Sequence, residues 1–398
     1  MIENSQYPKE ITDQVVGEWF DEEDIDEQDK DIPAKSIEEK YAESQLRVVR
    51  SNMDFSLYSL KQNFADADYI NLAPEYQRRH RWDDKKRSLL IESILMNIPI
   101  PPLFLFENDY NRYEVMDGRQ RLDTVMAFLD NGFSLRGLEF WTELNGKRFR
   151  DLSEIIQRGL MRRTLSAIIL LAETQAPVED ESDIRMVLFR RLNTGGVMLN
   201  PQELRNALYP SLFSKMIRSV AREGSFAKAW DIPPRSPNEE VSPPPILLKN
   251  SLYKSMADCE LVLRFYAIKE MIQFEYKGAL RKLLDKCLMR HQKDSAKEVA
   301  ELHDEFLFMI ETLNKLFSGK PFRLNDGRLS RPLYDALMVS LSLTPQSDIF
   351  QRRDAIVASL NKHLSTPDDY EILIGRGNTI ESIKARVALA TNILSSGV

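Results

Sequence analysis

Cysteine, histidine and long apolar runs are scarce in this chain of 398 residues. It has two cysteines, Cys259 and Cys287. Two thiols give no disulfide scaffold, and a reducing cytoplasm is the expected location. No stretch approaches the ~18 apolar residues that a membrane span needs, so no membrane partner is expected. The opening residues, "MIENSQYPKE", lack the apolar core of a signal peptide. A G-x-x-x-x-G-K-[ST] loop is missing too, which excludes a standard P-loop nucleotide hydrolase. There is no G-x-S-x-G elbow and no H-E-x-x-H pair. The four histidines are His80, His291, His303 and His363. A His-Asn-His nuclease needs its histidines inside one compact ββα unit, whereas His291 and His303 fall in helical sequence. Cys259, Cys287, His291 and His303 are zinc-ligand types. Without C-x-x-C spacing they read as helix-core cysteines and surface histidines.

Charge is present but uneven. The net charge is −7, and residues 1–46 hold fifteen acidic residues against four lysines. The rest of the chain therefore carries about +4. The leader includes "DEEDIDEQDKD", Asp21–Asp31. One-signed charge with few large apolar residues predicts disorder over 1–46. Such a tail is a solvated appendage, or it masks a basic groove. Trp19-Phe20 is its one hint of a docking point.

Beyond residue 46 the pattern is that of an ordered α+β protein. A serine-capped helix is expected over Ser56–Phe64 and a strand over Tyr69–Pro74. Asp83 or Asp84 caps a helix with Leu89, Leu90, Ile94 and Leu95 on one face. Strands are expected at Leu103–Glu107 and Arg112–Asp117, joined by a hairpin-type turn, and a helix over Gly118–Asp130. "SAIILLAE", Ser166–Glu173, is β-rich. Ser182–Leu192 reads as helix, broken by Asn193-Thr194-Gly195-Gly196. Asn200 and Pro201 then restart a helix. The stretch 232–245 is proline-rich and reads as an exposed loop. Six helices follow: Leu252–Phe274, Lys277–His291, Ser295–Phe317, Leu333–Leu341, Asp354–His363 and Asn378–Leu394. The expected organisation is a leader over 1–46, an α/β domain over 47–210 and an all-α helical bundle over 211–398.

Three clusters could carry chemistry. The first is "VMDGRQRLD", Val115–Asp123, where a strand meets a helix. The first N–H groups of a helix lack partners and attract anions. Two arginines at that positive end are unfavourable for the helix itself. They suit an external phosphate, which a guanidinium grips in a fork, with Asp117 able to hold a divalent metal. The alternative is that Asp117 caps the helix while Arg119 and Arg121 pair with nearby carboxylates. Spacing leaves both open. The second cluster is "PEYQRRHRWDDKKR", Pro74–Arg87. Basic and aromatic residues interleave there, as nucleic-acid or nucleotide binding requires and as a solvated face also allows. The third is "FRRLNTGGVMLNPQEL", Phe189–Leu204, a glycine turn or a close backbone approach to a ligand.

In combination, "LAPEYQRRHRW", "LLIESILMNIPIPPLFLFE", "VMDGRQRLDTVMAFL" and "LFRRLNTGGVMLNPQELRNAL" resemble the N-terminal domain of GmrSD-type restriction systems. That family belongs to the ParB/sulfiredoxin-like superfamily and is marked by an Asp-Gly-Gln-Gln-Arg motif. The resemblance implies a ParB/sulfiredoxin-like domain that binds and hydrolyses an NTP with Mg²⁺ in a DNA-restriction or anti-phage system. Asp117, Gly118, Gln120 and Arg121 match the motif, and Arg119 stands where glutamine is usual. Asp117, Gln120, Arg121 and Glu92 are the implied catalytic residues, with Asp117 also the implied metal ligand. Gly118, Arg119, Gln77, Arg78, Ser93 and Asn193 are the implied nucleotide contacts. No His-Asn-His domain is recognisable, so the chain is expected to work with a partner nuclease or defence protein. The alternative is a non-catalytic ParB-like DNA-binding module or an interaction scaffold.

Overall fold

The computed structural model describes residues 11–21, 50–63, 69–71, 82–171, 200–239, 243–345, 347–375 and 377–396. The chain is α+β, with a mixed sheet in its first half and a helical C-terminal part. It divides into two compact units. One spans 33–199; the other combines 1–32 with 200–398.

Within 33–199 the strands are β1 (Arg50–Ser56), β2 (Ile70–Asn71), β3 (Leu103–Asp109), β4 (Arg112–Asp117) and β5 (Thr164–Leu170). The sheet order is β1-β5-β3-β4-β2. β1 runs antiparallel to β5, β5 parallel to β3, β3 antiparallel to β4 and β4 parallel to the two-residue β2. The β3–β4 turn is Tyr110-Asn111. Asn111 takes φ +57°, and its N–H donates to Glu107 Oε1 at 3.0 Å. Asparagine tolerates that left-handed geometry better than most residues.

After the leader helix α1 (Asp13–Asp21), the helices of the sheet unit are α2 (Leu57–Asn63), α3 (Asp84–Leu95), α4 (Arg119–Leu129) and α5 (Glu154–Met161). Ser56 Oγ accepts the Ser59 N–H and caps α2, as its sequence signals. Of the two possible caps for α3, Asp83 is the one used: its Oδ1 accepts the Lys86 N–H at 2.7 Å. The core joins Leu90, Ile91 and Ile94 of α3 and Leu122, Val125 and Phe128 of α4 to Leu103, Leu105, Leu165 and Ile169 of the sheet. Each helix is apolar on one stripe only and must bury that stripe against the strands.

The helical unit contains α6 (Pro201–Leu208), α7 (Leu212–Val220), α8 (Gly224–Ala229), α9 (Pro245–Lys249) and α10 (Ser251–Lys254). It continues with α11 (Ala257–Gln273), α12 (Leu280–Arg290), α13 (Ala296–Leu316) and α14 (Arg331–Leu343). It ends with α15 (Arg353–Ser365), α16 (Pro367–Ile374) and α17 (Ile380–Leu394). The reading of Leu252–Phe274 as one helix needs correction. Met256 takes φ +59° and separates α10 from α11. The 232–245 loop is less exposed than expected. Ile232 and Glu239 are buried, and Glu239 accepts from Arg222 Nε at 2.7 Å. That ion pair pins the proline-rich turn to the body.

The leader also differs from the disorder expected over 1–46. α1 belongs to the helical unit. Val16 and Phe20 are buried, and Trp19 meets Trp230 edge-on with ring centroids 6.2 Å apart. The Arg331 guanidinium lies 5.0 Å from the Trp19 ring centroid, and its Nη1 donates to Trp19 O at 3.0 Å. The apolar stripe Val16/Trp19/Phe20, too short to order by itself, gains a partner surface. Composition averaged over 1–46 hides that stripe.

Candidate functional site

The corner 117–121 is built by β4 handing the chain directly to α4. Gly118 is the N-cap residue of α4, with φ +92°, a conformation that side chains oppose. Space imposes the same choice. A Cβ on Gly118 would sit 2.4 Å from Leu103 Cδ2 and 3.0 Å from Arg121 Nη2. Glycine therefore lets the β4 end, the β3 start and the arginine pack on one point. Asp117 is not the cap, and no side chain caps the first N–H groups of α4.

Arg121 Nη2 donates to Asp117 Oδ2 at 2.7 Å. Its Nη1 donates to the carbonyls of Pro101 and Pro102. Burial lowers the basicity of this guanidinium, and the neighbouring Asp117 opposes that shift without cancelling it. Arginine stays charged regardless. Arg119 Nε lies 3.2 Å from Asp123 Oδ2, one turn on. The local pairing of both arginines with carboxylates is thus realised, though Arg121 uses Asp117 as partner rather than a residue left over from capping. Gln120 sits between them. Its Oε1 is buried and accepts no hydrogen bond among the described residues.

Glu92, implied as catalytic by its motif position, is engaged by a neighbouring turn. It is 3% exposed on α3. Its Oε1 accepts from Phe140 N and Trp141 N, both at 2.8 Å, and its Oε2 from Glu139 N at 3.1 Å. Burial pushes its pKa up, but the three backbone donors outweigh that and hold it below the usual carboxylate value. The carboxylate is committed to the 139–141 turn. Ser93, next to it, donates its Oγ back to Leu89 O at 2.8 Å inside the same helix. Gln77, Arg78 and Asn193 lie outside the described residues.

Of the basic-aromatic cluster, described cations lie against aromatic rings within the sheet unit. Lys86 Nζ lies 4.7 Å from the Trp82 ring centroid, and the Arg87 guanidinium 4.0 Å from that of Phe133. The sequence reading missed the Pro101 and Pro102 carbonyls as partners of Arg121. The "IPIPP" run held the signal: prolines supply carbonyl acceptors but no N–H donors.

This geometry defines an α+β domain whose strand-to-helix corner carries two arginines and an uncapped helix start. Residues 56–210 match the family model of the GmrSD restriction endonuclease N-terminal domain. That match supports a GmrSD-type N-terminal domain over this segment and relates it to restriction systems, and no nuclease domain is matched. Neither a curated protein nor a solved structure matches the chain. The last helix of the matched segment, α6, is built into the helical unit. Its buried Arg205 lies 3.5 Å from Glu260 and 2.8 Å from Asp285. Among the described residues, no helix is long and apolar enough to cross a membrane.

Proposed function

We propose that the 56–210 domain has the ParB/sulfiredoxin-like fold and binds a nucleoside triphosphate at the 117–121 corner. The observation that carries this reading is Gln120 Oε1, a buried acceptor with no hydrogen-bond partner among the described residues, carried between two arginines in sequence at an uncapped helix start. A buried polar atom in that state costs about 1–3 kcal/mol unless something donates to it. A nucleotide hydroxyl or an ordered water meets that need. The phosphates are held by Arg119, Arg121 and the N–H groups at the α4 start. Gly118 lets Leu103 and the Arg121 guanidinium pack closely at the corner, which sets where the guanidinium is held. Gln77, Arg78, Ser93 and Asn193 are proposed nucleotide contacts from the motif alone.

Mg²⁺, where bound, supplies charge neutralisation to the phosphates. Asp117 is the proposed ligand, being one-third exposed. Asp117 would hold the metal while its Oδ2 accepts from Arg121, so the pair would work as a unit. Gln120 orients the attacking water, and Arg121 stabilises the charge that develops on the transferred phosphoryl group. The domain serves a DNA-restriction or anti-phage system in the cytoplasm, together with a partner nuclease or defence protein or through DNA contact.

A second reading is favoured by one observation. Glu92 is taken up by the 139–141 turn, which leaves Asp117 as the corner's own carboxylate. A corner where Asp123 is paired with Arg119, Glu92 is engaged elsewhere and an arginine takes the usual glutamine place suits a nucleotide clamp or DNA-binding module without turnover. Phosphate release from a panel of NTPs with Mg²⁺ separates the two. Turnover lost in Arg121→Ala supports hydrolysis. Binding without turnover, with DNA affinity falling steeply in salt, supports the clamp.

A further inference from the structure

The helical unit holds a second group of chemically distinctive side chains, away from the motif residues in sequence. Glu270 sits on α11, Cys287 on α12, and His291 just past the α12 end. One carboxylate oxygen, the thiol sulfur and one imidazole nitrogen all lie within 4.8 Å of one another. His291 Nε2 is 2.6 Å from Glu270 Oε1, and His291 Nδ1 is 2.5 Å from Asp294 Oδ2. Arg290 pairs with the other oxygen of Glu270. Phe213 stacks on the imidazole with centroids 4.4 Å apart.

We propose that Glu270 Oε1, Cys287 Sγ and His291 Nε2 form a zinc site, with Asp294 as the positioning carboxylate behind the histidine. The quartet suggested by composition was Cys259, Cys287, His291 and His303. Cys259 and His303 are not in this cluster, and Glu270 from the neighbouring helix takes their place. Residues 287 and 291 are four apart, so the thiol and the imidazole lie on one side of the helix end. Ligating histidines commonly give their other nitrogen to a carboxylate, which fixes the tautomer and the ring plane. Asp294 already does this, and Phe213 holds the ring from its face. A mixed sulfur, nitrogen and oxygen set suits zinc and disfavours magnesium or calcium. The sulfur is fully buried, but the Glu270 and His291 side chains retain 14% and 17% exposure, which gives an ion a way in.

Ligands of one zinc ion at about 2.0–2.3 Å lie roughly 3.3–3.8 Å from each other. The Nε2–Oε1 pair must open by about 0.7 Å and the widest pair close by up to about 1 Å, both within side-chain rotation. Zinc forms bonds to Sγ, Nε2 and Oε1. The protons on Sγ and Nε2 leave to solvent, so the local net charge is unchanged. The fourth position falls to water. The site requires nothing of the nucleotide corner.

The test is cobalt and zinc titration of the full chain after metal stripping. The expected result is one cobalt ion per chain, with a thiolate-to-cobalt charge-transfer band displaced by one equivalent of zinc. Cys287→Ala removes that band and Cys259→Ala keeps it. Asp294→Asn keeps the band but weakens zinc about 10–100-fold. Should Cys287→Ala fail to fold, His291→Gln gives the same readout through lost zinc affinity. Absence of the band in the wild-type chain overturns the proposal, leaving the cluster a hydrogen-bonded clamp. So does a band that survives Cys287→Ala.

Discussion

Two arginine–aspartate pairs in this molecule have nearly the same chemistry and opposite surroundings. Arg121 and Asp117 sit at the motif corner with 13% and 33% of their side chains exposed. Arg264 and Asp335 join α11 to α14 at zero exposure, with Arg386 Nη1 4.0 Å from the same Asp335 oxygen. In the buried pair neither charge is open to solvent, so the pair fixes the helical packing. At the corner, water reaches both groups, and an incoming phosphate can compete for the arginine without stranding the aspartate. The difference separates an ion pair that sets structure from one that can be opened by a ligand.

Removing one member of each pair should break this comparison most clearly. Asp335→Ala leaves the Arg264 and Arg386 charges buried without it, and should cost about 3–5 kcal/mol. Urea denaturation of wild type and variant reads it directly, and a loss under 1 kcal/mol would place solvent at that pair. Gly118→Ala comes next. The positive φ and the 2.4 Å approach to Leu103 predict a loss of about 1–3 kcal/mol. Nucleotide binding should weaken with it if the corner is the site.

Glu92 gives the third prediction, through pH. Its folded pKa lies below its unfolded value, so the stability it contributes is present above about pH 4.5. That contribution is lost as pH falls through the folded value. Glu92→Gln should flatten the acid limb of the stability curve, and an unchanged limb would assign the acid sensitivity elsewhere. The smallest effect belongs to Arg119→Gln. Its partner Asp123 is 47% exposed, so the stability change should stay below about 1 kcal/mol. The same substitution restores the usual motif residue and sharpens the functional question. Faster turnover in Arg119→Gln marks the arginine as a brake on hydrolysis; unchanged turnover marks it as a phosphate ligand only.

The sheet unit was legible where sequence patterns are local. β4 was readable over Arg112–Asp117, and in the helical unit Asn200 caps α6 with Pro201 in the first turn, as expected. The β1 strand was missed because, of its seven residues, only Phe55 is buried. An edge strand with a mostly polar surface has no alternation to read. The motif corner was legible as a place but not as a geometry. Which carbonyls meet Arg121, and how Gly118 and Leu103 converge, depend on a β3–β4 register that no local pattern encodes. Glu92 was given a catalytic role by its position in the family pattern alone. Its partners, the 139–141 amides, lie nearly fifty residues away, and only folding reveals them.

The central claim is that the 117–121 corner binds a nucleoside triphosphate, and calorimetric titration of the full chain with each NTP tests it most directly. Saturable one-to-one binding of at least one NTP, weakened tenfold or more by Arg121→Ala at unchanged helical content, is the predicted result. Wild-type protein that binds none of the nucleotides, or an Arg121→Ala variant that binds as tightly as wild type, contradicts it.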